Sequence, residues 1–184
     1  IRQMPIEHAL FVGNSLPIRE VDMLSTTRNA PLRVAANRGA SGIDGQIATA
    51  CGWAMGHRQP TIILLGDLSA MHDLNSLLLL RESPVPMTLI ILNNDGGGIF
   101  SMLPISNQKD VFERFFGTPH GCEFSKVAAM FDLPYFQPKN LEQLQKSFQE
   151  AWHSNKPSLI EVKTDREQTA AQLLAWQDHV KNQA

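Results

Sequence analysis

Two short, uninterrupted apolar runs constrain this chain more than any other feature. Ile62-Ile63-Leu64-Leu65 and Met87-Thr88-Leu89-Ile90-Ile91-Leu92 are each too short for a buried helix and lack the alternation of a half-exposed strand. Each breaks abruptly into polar residues, Gly66-Asp67 after the first and Asn93-Asn94-Asp95 after the second. Strands apolar on both faces belong in a parallel sheet covered by helices. The rest of the chain agrees. Strands are expected at 9–12, 32–36, 61–65, 87–92 and 159–162. Helices are expected at 18–24, 43–57, 73–81, 124–131, 141–153 and 167–180. That order predicts an α/β fold with a doubly wound, mainly parallel sheet and helices on both faces, formed by residues 1–184 as a single domain.

Composition removes several function classes. Apolar residues make up 43% of the 184, enough for a packed core. A net charge of −2 with no basic run gives no electrostatic footprint for nucleic acid or for a membrane surface. The apolar runs are far too short to cross a bilayer. Two cysteines, Cys51 and Cys122, read as reduced thiols of a cytoplasmic protein.

Function then rests on the strand ends, because open parallel sheets bind ligands beyond the carboxyl ends of their strands. Four ends carry unusual residues: Gly13-Asn14-Ser15, Asn37-Arg38-Gly39, Gly66-Asp67-Leu68-Ser69, and Asn93-Asn94-Asp95-Gly96-Gly97-Gly98. Asp67 and Asn94 offer hard oxygen ligands suited to Mg²⁺, and Gly96 offers an unobstructed backbone carbonyl. A metal so held would bridge to a diphosphate, with Asn14, Ser15 and Ser69 as donors to phosphate oxygens. On spacing alone, Asp67 serves equally well as a cap for the following helix, and Asn-Asn before three glycines as a plain loop. Neither of the well-known phosphate-loop motifs, Gly-x4-Gly-Lys-Ser/Thr and a Gly-x-Gly-x-x-Gly after the first strand, is present. His72 and His120 stand alone and read as surface or core residues. The irregular stretch 96–121 reads as a lid or binding loop; three successive glycines at its start are costly to order and make it a mobile one.

Gly66-Asp67-Leu68, 24 further residues and then Asn93-Asn94 resemble the thiamin-diphosphate enzyme signature, Gly-Asp-Gly, a spacer of about that length, and Asn-Asn. Leu68 stands where the third glycine is usual. Four segments, 11–16, 37–45, 66–70 and 99–104, together resemble one branch of that family, the synthases of menaquinone biosynthesis, where Gly-Asp-Leu is the usual form. The resemblance spans the whole chain but only the C-terminal third of such an enzyme. With Ile1 in place of Met, the chain is expected to be the diphosphate-binding domain of something longer.

The resemblance implies thiamin diphosphate as cofactor and Mg²⁺ or Mn²⁺ held by Asp67, Asn94 and the Gly96 carbonyl. It places Asn14, Ser15, Gly39, Ser41, Gly66, Leu68 and Ser69 around the cofactor, and Ile43 as the residue that props it in a bent conformation. It implies 2-oxoglutarate and isochorismate as substrates. Arg19 and Arg38 would grip their carboxylates, as guanidinium forks do, and Ile99, Phe100 and Leu103 would wall the pocket. By residue pattern alone, Ile43 is core packing, Arg19 a solvated helix face and the 99–103 residues loop anchors. The resemblance puts the activating Glu on a separate pyrimidine-binding domain; Glu7, Glu20 and Glu82 do not sit in its motif, so no catalytic residue is expected here. A homodimer or homotetramer is implied. The alternatives are another thiamin-diphosphate enzyme, of the acetolactate or 2-oxoacid decarboxylase type, and a non-catalytic α/β binding module.

Overall fold

The computed structural model describes residues 1, 3–26 and 30–182. Six strands form one sheet: β1 (Ala9–Val12), β2 (Val34–Ala35), β3 (Thr61–Gly66), β4 (Met87–Asn93), β5 (Tyr135–Phe136) and β6 (Ser158–Lys163). Their order is β2-β1-β3-β4-β6-β5, and every pairing is parallel. Eight α-helices accompany them among the described residues: α1 (Leu16–Leu24), α2 (Gln46–His57), α3 (Asp67–Met71), α4 (Leu77–Arg81), α5 (Lys109–Phe112), α6 (Phe124–Met130), α7 (Leu141–His153) and α8 (Arg166–Lys181).

Alternation along the central strands sorts the core into two layers. Phe11, Ile63, Leu65, Leu89, Ile91 and Leu159 point to one face, against Ile47, Cys51, Ala70, Leu77, Leu80 and Phe124 of α2, α3, α4 and α6. Leu10, Val12, Ile62, Ile90 and Ile160 point to the other, against Ile18 and Val21 of α1 and Leu144, Phe148 and Ala151 of α7. Both faces are covered, so the strands carry no polar side and the apolar runs follow. The doubly wound parallel sheet expected from the runs is present.

Four elements differ from the sequence expectation. Strand 32–36 contracts to Val34–Ala35, because β2 is an edge and Val34 is half exposed. The helix expected at 43–57 starts at Gln46; Gly45 enters it in the left-handed region (φ 64°), which leaves Ile43 in the preceding loop. The helix expected at 73–81 is a 3-10 turn at Leu74–Ser76 followed by α4, and the short helix α3 before it is not among those expected. The turn places the Asp73 carboxylate on the Ala48 amide of α2 (2.9 Å) and on the Ser76 hydroxyl (2.6 Å). The short edge strand β5 carries no apolar run to announce it. No helix among the described residues is long and apolar enough to cross a membrane.

Leu65 is fully buried between β3 and the helices over it. Leu65→Ala is expected to lower stability by about 2–5 kcal/mol in denaturant unfolding. Cys51 is equally buried, and desolvation, reinforced by the Asp73 carboxylate, pushes its thiol up to about 12. Peptide mapping after alkylation at pH 8 should find Cys51 unmodified in the folded protein and modified only after denaturation.

Candidate metal and diphosphate site

The strand order places the site. After β1 the chain turns outward to β2, and after β3 it turns the opposite way to β4, while β1 and β3 are neighbours. This is a topological switch point, where a crevice opens beyond the carboxyl ends of adjacent strands. α1 and α3 begin there, packed on opposite faces of the sheet. Neither has a side-chain cap, so first-turn amides are left for a ligand or water. Ser15, which leads into α1, is held at φ 71°, a region that non-glycine residues occupy at a cost of about 1–3 kcal/mol.

A cavity of about 150 Å³ fills the crevice. It is smaller than the roughly 300–1,000 Å³ of sites that enclose a drug-sized ligand. The space suits part of a cofactor, not all of one. Ser15, Ile43, Gly66, Asp67, Leu68, Ser69, Asn94, Gly96, Ile99 and Phe100 line it, so most of the expected site residues converge.

Asp67 is almost fully buried. Its Oδ1 accepts the Leu68 amide (2.7 Å), and its Oδ2 accepts the Gly96 amide (2.9 Å) and lies 3.1 Å from His120 Nε2. The carboxylate therefore bonds the adjacent amide in the first turn of α3, where Gly66 and not Asp67 is the N-cap, and also reaches across to the loop after β4. Asn94 Oδ1 is buried and has no hydrogen-bond partner. An orphaned buried acceptor costs about 1–3 kcal/mol unless something satisfies it. A carboxylate and an unpartnered amide oxygen from residues that line one cavity fit a hard cation. The Gly96 carbonyl accepts the Gly98 amide at 3.0 Å and retains a second lone pair.

The loop requires its glycines for space. Gly96 sits at φ 131°, and a Cβ there would strike the Gly117 carbonyl oxygen. A Cβ at Gly98 would strike the Asn94 side-chain amide. Asn93 holds the loop from behind: its Oδ1 accepts the Asp95 amide (3.0 Å) and its Nδ2 donates to Glu161 (2.6 Å). Glu161 is fully buried and also accepts from the Tyr135 hydroxyl and from Gln137 (3.1 Å). Burial, and then that bond to Glu161, pushes the Tyr135 phenol up.

Other expected residues lie elsewhere. Asn14 is buried but faces the 38–46 loop: its Nδ2 donates to the Gly42 carbonyl (2.6 Å) and its Oδ1 accepts from Arg38 (2.6 Å). Gly39, Ser41 and Arg38 border a separate depression on that loop. Arg19 lies one turn into α1, its guanidinium on the Ser15 carbonyl (2.7 Å). Leu103 is half exposed and does not line the cavity. Ile43, displaced from α2, lines the cavity instead of joining the core.

Sequence reasoning missed Glu20, Thr164 and Thr169 on the cavity wall. Burial raises the Glu20 carboxyl above its usual range. The 96–121 segment, expected to be a mobile lid, folds as successive 3-10 turns, α5 and a π-turn. It is tied down at both ends, where Gly97 donates to the Gly117 carbonyl (2.7 Å) and Asp95 accepts the His120 and Gly121 amides (3.0 and 2.8 Å).

Residues 21–162 match the family model described as thiamine pyrophosphate enzyme, C-terminal TPP binding domain. Among curated relatives, 2-succinyl-5-enolpyruvyl-6-hydroxy-3-cyclohexene-1-carboxylate synthase of Rubrobacter xylanophilus is 47% identical over 92% of this chain and 29% of its own length. The enzyme of that name from Aeromonas salmonicida is 48% identical over 92% of this chain and 30% of its own length. That from Shewanella baltica is 45% identical over 96% and 31%. The chain thus spans under a third of the length of these relatives.

Gly98→Ala tests the packing of the loop. The added methyl must displace the Asn94 amide, an overpacking cost of about 1–3 kcal/mol. Denaturant unfolding of the Gly98→Ala variant should show that cost as lower stability.

Proposed function

The chain belongs to the thiamine pyrophosphate enzymes, as their C-terminal binding domain, and from that premise we propose that its switch-point cavity holds the diphosphate of thiamin diphosphate through a divalent cation. Asp67 Oδ1, Asn94 Oδ1 and the Gly96 carbonyl are the protein's ligands to Mg²⁺ or Mn²⁺. The observation that carries this reading is Asn94 Oδ1, buried and unpartnered among the described residues, on a cavity that the buried Asp67 also lines. Among the described residues no cluster of three or more His, Cys, Asp or Glu suits a metal. The cation must then draw remaining ligands from backbone, water and phosphate, as Mg²⁺ does with nucleotides.

When bound, thiamin diphosphate supplies the nucleophilic carbon and the electron sink for decarboxylating a 2-oxo acid. This chain's residues anchor and shape. Ser15 and Ser69, both on the cavity wall, donate to phosphate oxygens, aided by the uncapped starts of α1 and α3. Leu68, Gly66 and Ile43 also line the cavity, and Ile43 is the residue that would prop the cofactor. Asn14, Gly39 and Ser41 shape the 38–46 loop that carries Ile43.

The relatives' shared name supports a synthase that takes 2-oxoglutarate as donor and isochorismate as acceptor, for menaquinone biosynthesis. Arg19 and Arg38 stand outside the cavity as anchors for substrate carboxylates, with Ile99, Phe100 and Leu103 as the apolar wall. The catalytic Glu that activates the cofactor comes from a pyrimidine-binding domain of the same or a neighbouring subunit. This chain is then the C-terminal domain of a longer homodimeric or homotetrameric enzyme. Two unpaired thiols suit a reducing, cytoplasmic setting.

In the full-length enzyme, thiamin diphosphate at about 100 times its Kd should stabilise the fold by about 2.7 kcal/mol when Mg²⁺ is present. Asp67→Ala should abolish the Mg²⁺-dependent part of that gain. Calorimetric cofactor binding that is unchanged in Asp67→Ala would remove Asp67 from the site.

A further inference from the structure

We infer that His120 is a positioning residue for the metal-binding carboxylate: it donates Nε2–H to Asp67 Oδ2 and so leaves Oδ1 as the oxygen open to the cation. The inference rests on the cation-binding role proposed for Asp67 and adds the device that sets that side chain's orientation.

The tautomer follows from the partners. Nδ1 of His120 accepts the Cys122 amide at 2.9 Å, so Nδ1 carries a lone pair and no hydrogen. Asp95 Oδ1, at 3.6 Å from Nδ1, is beyond hydrogen-bond reach and is already occupied by the His120 and Gly121 amides. In this tautomer the hydrogen sits on Nε2, and Nε2 points at Asp67 Oδ2, 3.1 Å away. The two side chains are 7% and 3% exposed, so water does not compete for the bond.

Asp67 then has unequal oxygens. Oδ2 takes two donors, His120 Nε2 and the Gly96 amide. Oδ1 takes one, the adjacent Leu68 amide. A carboxylate so held presents its less occupied oxygen. A neutral donor suits this task better than Arg or Lys, because it orients the carboxylate without cancelling the charge that attracts the cation.

The ring is itself fixed. Phe124, fully buried at the start of α6, meets it edge-on with centroids 6.2 Å apart. Asp95 clasps the backbone on the other side, and Gly121 makes the turn at φ 60°. The loop that follows β4 thus carries Asn94 into the cavity with one residue and, with the next, pulls His120 onto Asp67.

Three variants of the full-length enzyme test this, each read by Mn²⁺ affinity with thiamin diphosphate present and by metal-free melting temperature. His120→Gln places an amide N–H near the Nε2 position and keeps the donor to Asp67. His120→Asn keeps an acceptor near the Nδ1 position for the Cys122 amide but falls short of Asp67. Both lose the ring contact with Phe124, so the comparison between them cancels that loss. The expected result is parent-like Mn²⁺ affinity for the Gln variant and an affinity about tenfold weaker or more for the Asn variant. Parent-like affinity in the Asn variant overturns the inference, as does a Gln variant weakened as much as the Asn variant. Asp67→Ala is the control. If it retains parent affinity, the cation role of Asp67 fails; if it loses affinity while the Asn variant does not, only the His120 role fails.

Discussion

Strands β1 and β3 lie side by side, and the chain leaves them in opposite directions. Every other property of the site depends on that divergence. Helices α1 and α3 must start at neighbouring strand ends yet cover opposite faces, so their first turns flank the cavity. The cavity receives open amide donors from both faces and, from the end of β3, a carboxylate. An anion alone would meet Asp67 as a repulsive neighbour. A cation between the two would turn the same arrangement attractive, which is the electrostatic ground for proposing a diphosphate and a divalent metal together.

A buried carboxylate without a cationic side chain as partner must be held by donors. Asp67 is held by three: the Leu68 amide in its own turn, the Gly96 amide across the sheet edge and the His120 ring. Two of these come from a single loop region that folds back on itself, and its contacts are made at van der Waals limits. That is why the sequence carries Gly96-Gly97-Gly98 there. The glycines admit a backbone that would otherwise collide with Gly117 and with Asn94. Behind the loop, Glu161 has no ion pair within 4.0 Å among the described residues and is satisfied by Asn93, Tyr135 and Gln137 instead. Asn93 and Asn94 therefore divide the labour: the first is anchored into the sheet, and the second has its oxygen free.

The parts of this architecture legible in the sequence were those written in local pattern. Buried parallel strands announce themselves as unbroken runs, and the polar breaks after them pointed to strand ends, with Asp67 and Asn94, that share one cavity. What escaped was set by tertiary contact. His120 looked like an isolated histidine, because its partner is 53 residues away and is brought to it by the Asp95 clasp on the His120 and Gly121 amides. Ile43 read as helix interior, since nothing in an apolar pattern reveals that Gly45 starts α2 two residues later. Glu161 lay in a β6 strand as one polar residue among apolar ones, and only the neighbouring strands show that it is a buried hub. The three glycines suggested a loose lid, whereas their freedom is used for close packing.

The cavity's size bears on how the domain works. At about 150 Å³ it is an anchor point, open beyond the ends of β1 and β3. Arg19, Arg38 and Leu103 lie outside it, on α1 and on surface loops. On the proposed reading, a cofactor held here by its diphosphate would extend beyond the cavity, which at about 150 Å³ is too small for all of it. Enclosure must come from elsewhere if the reacting carbon is to be kept from water. Binding and catalysis are thereby separable in such a design. On the proposed reading, Asp67, Asn94 and their supporting loop would fix where the cofactor sits, and a second surface over the exposed apolar edge at Phe100 and Leu103 would decide when it reacts and with what.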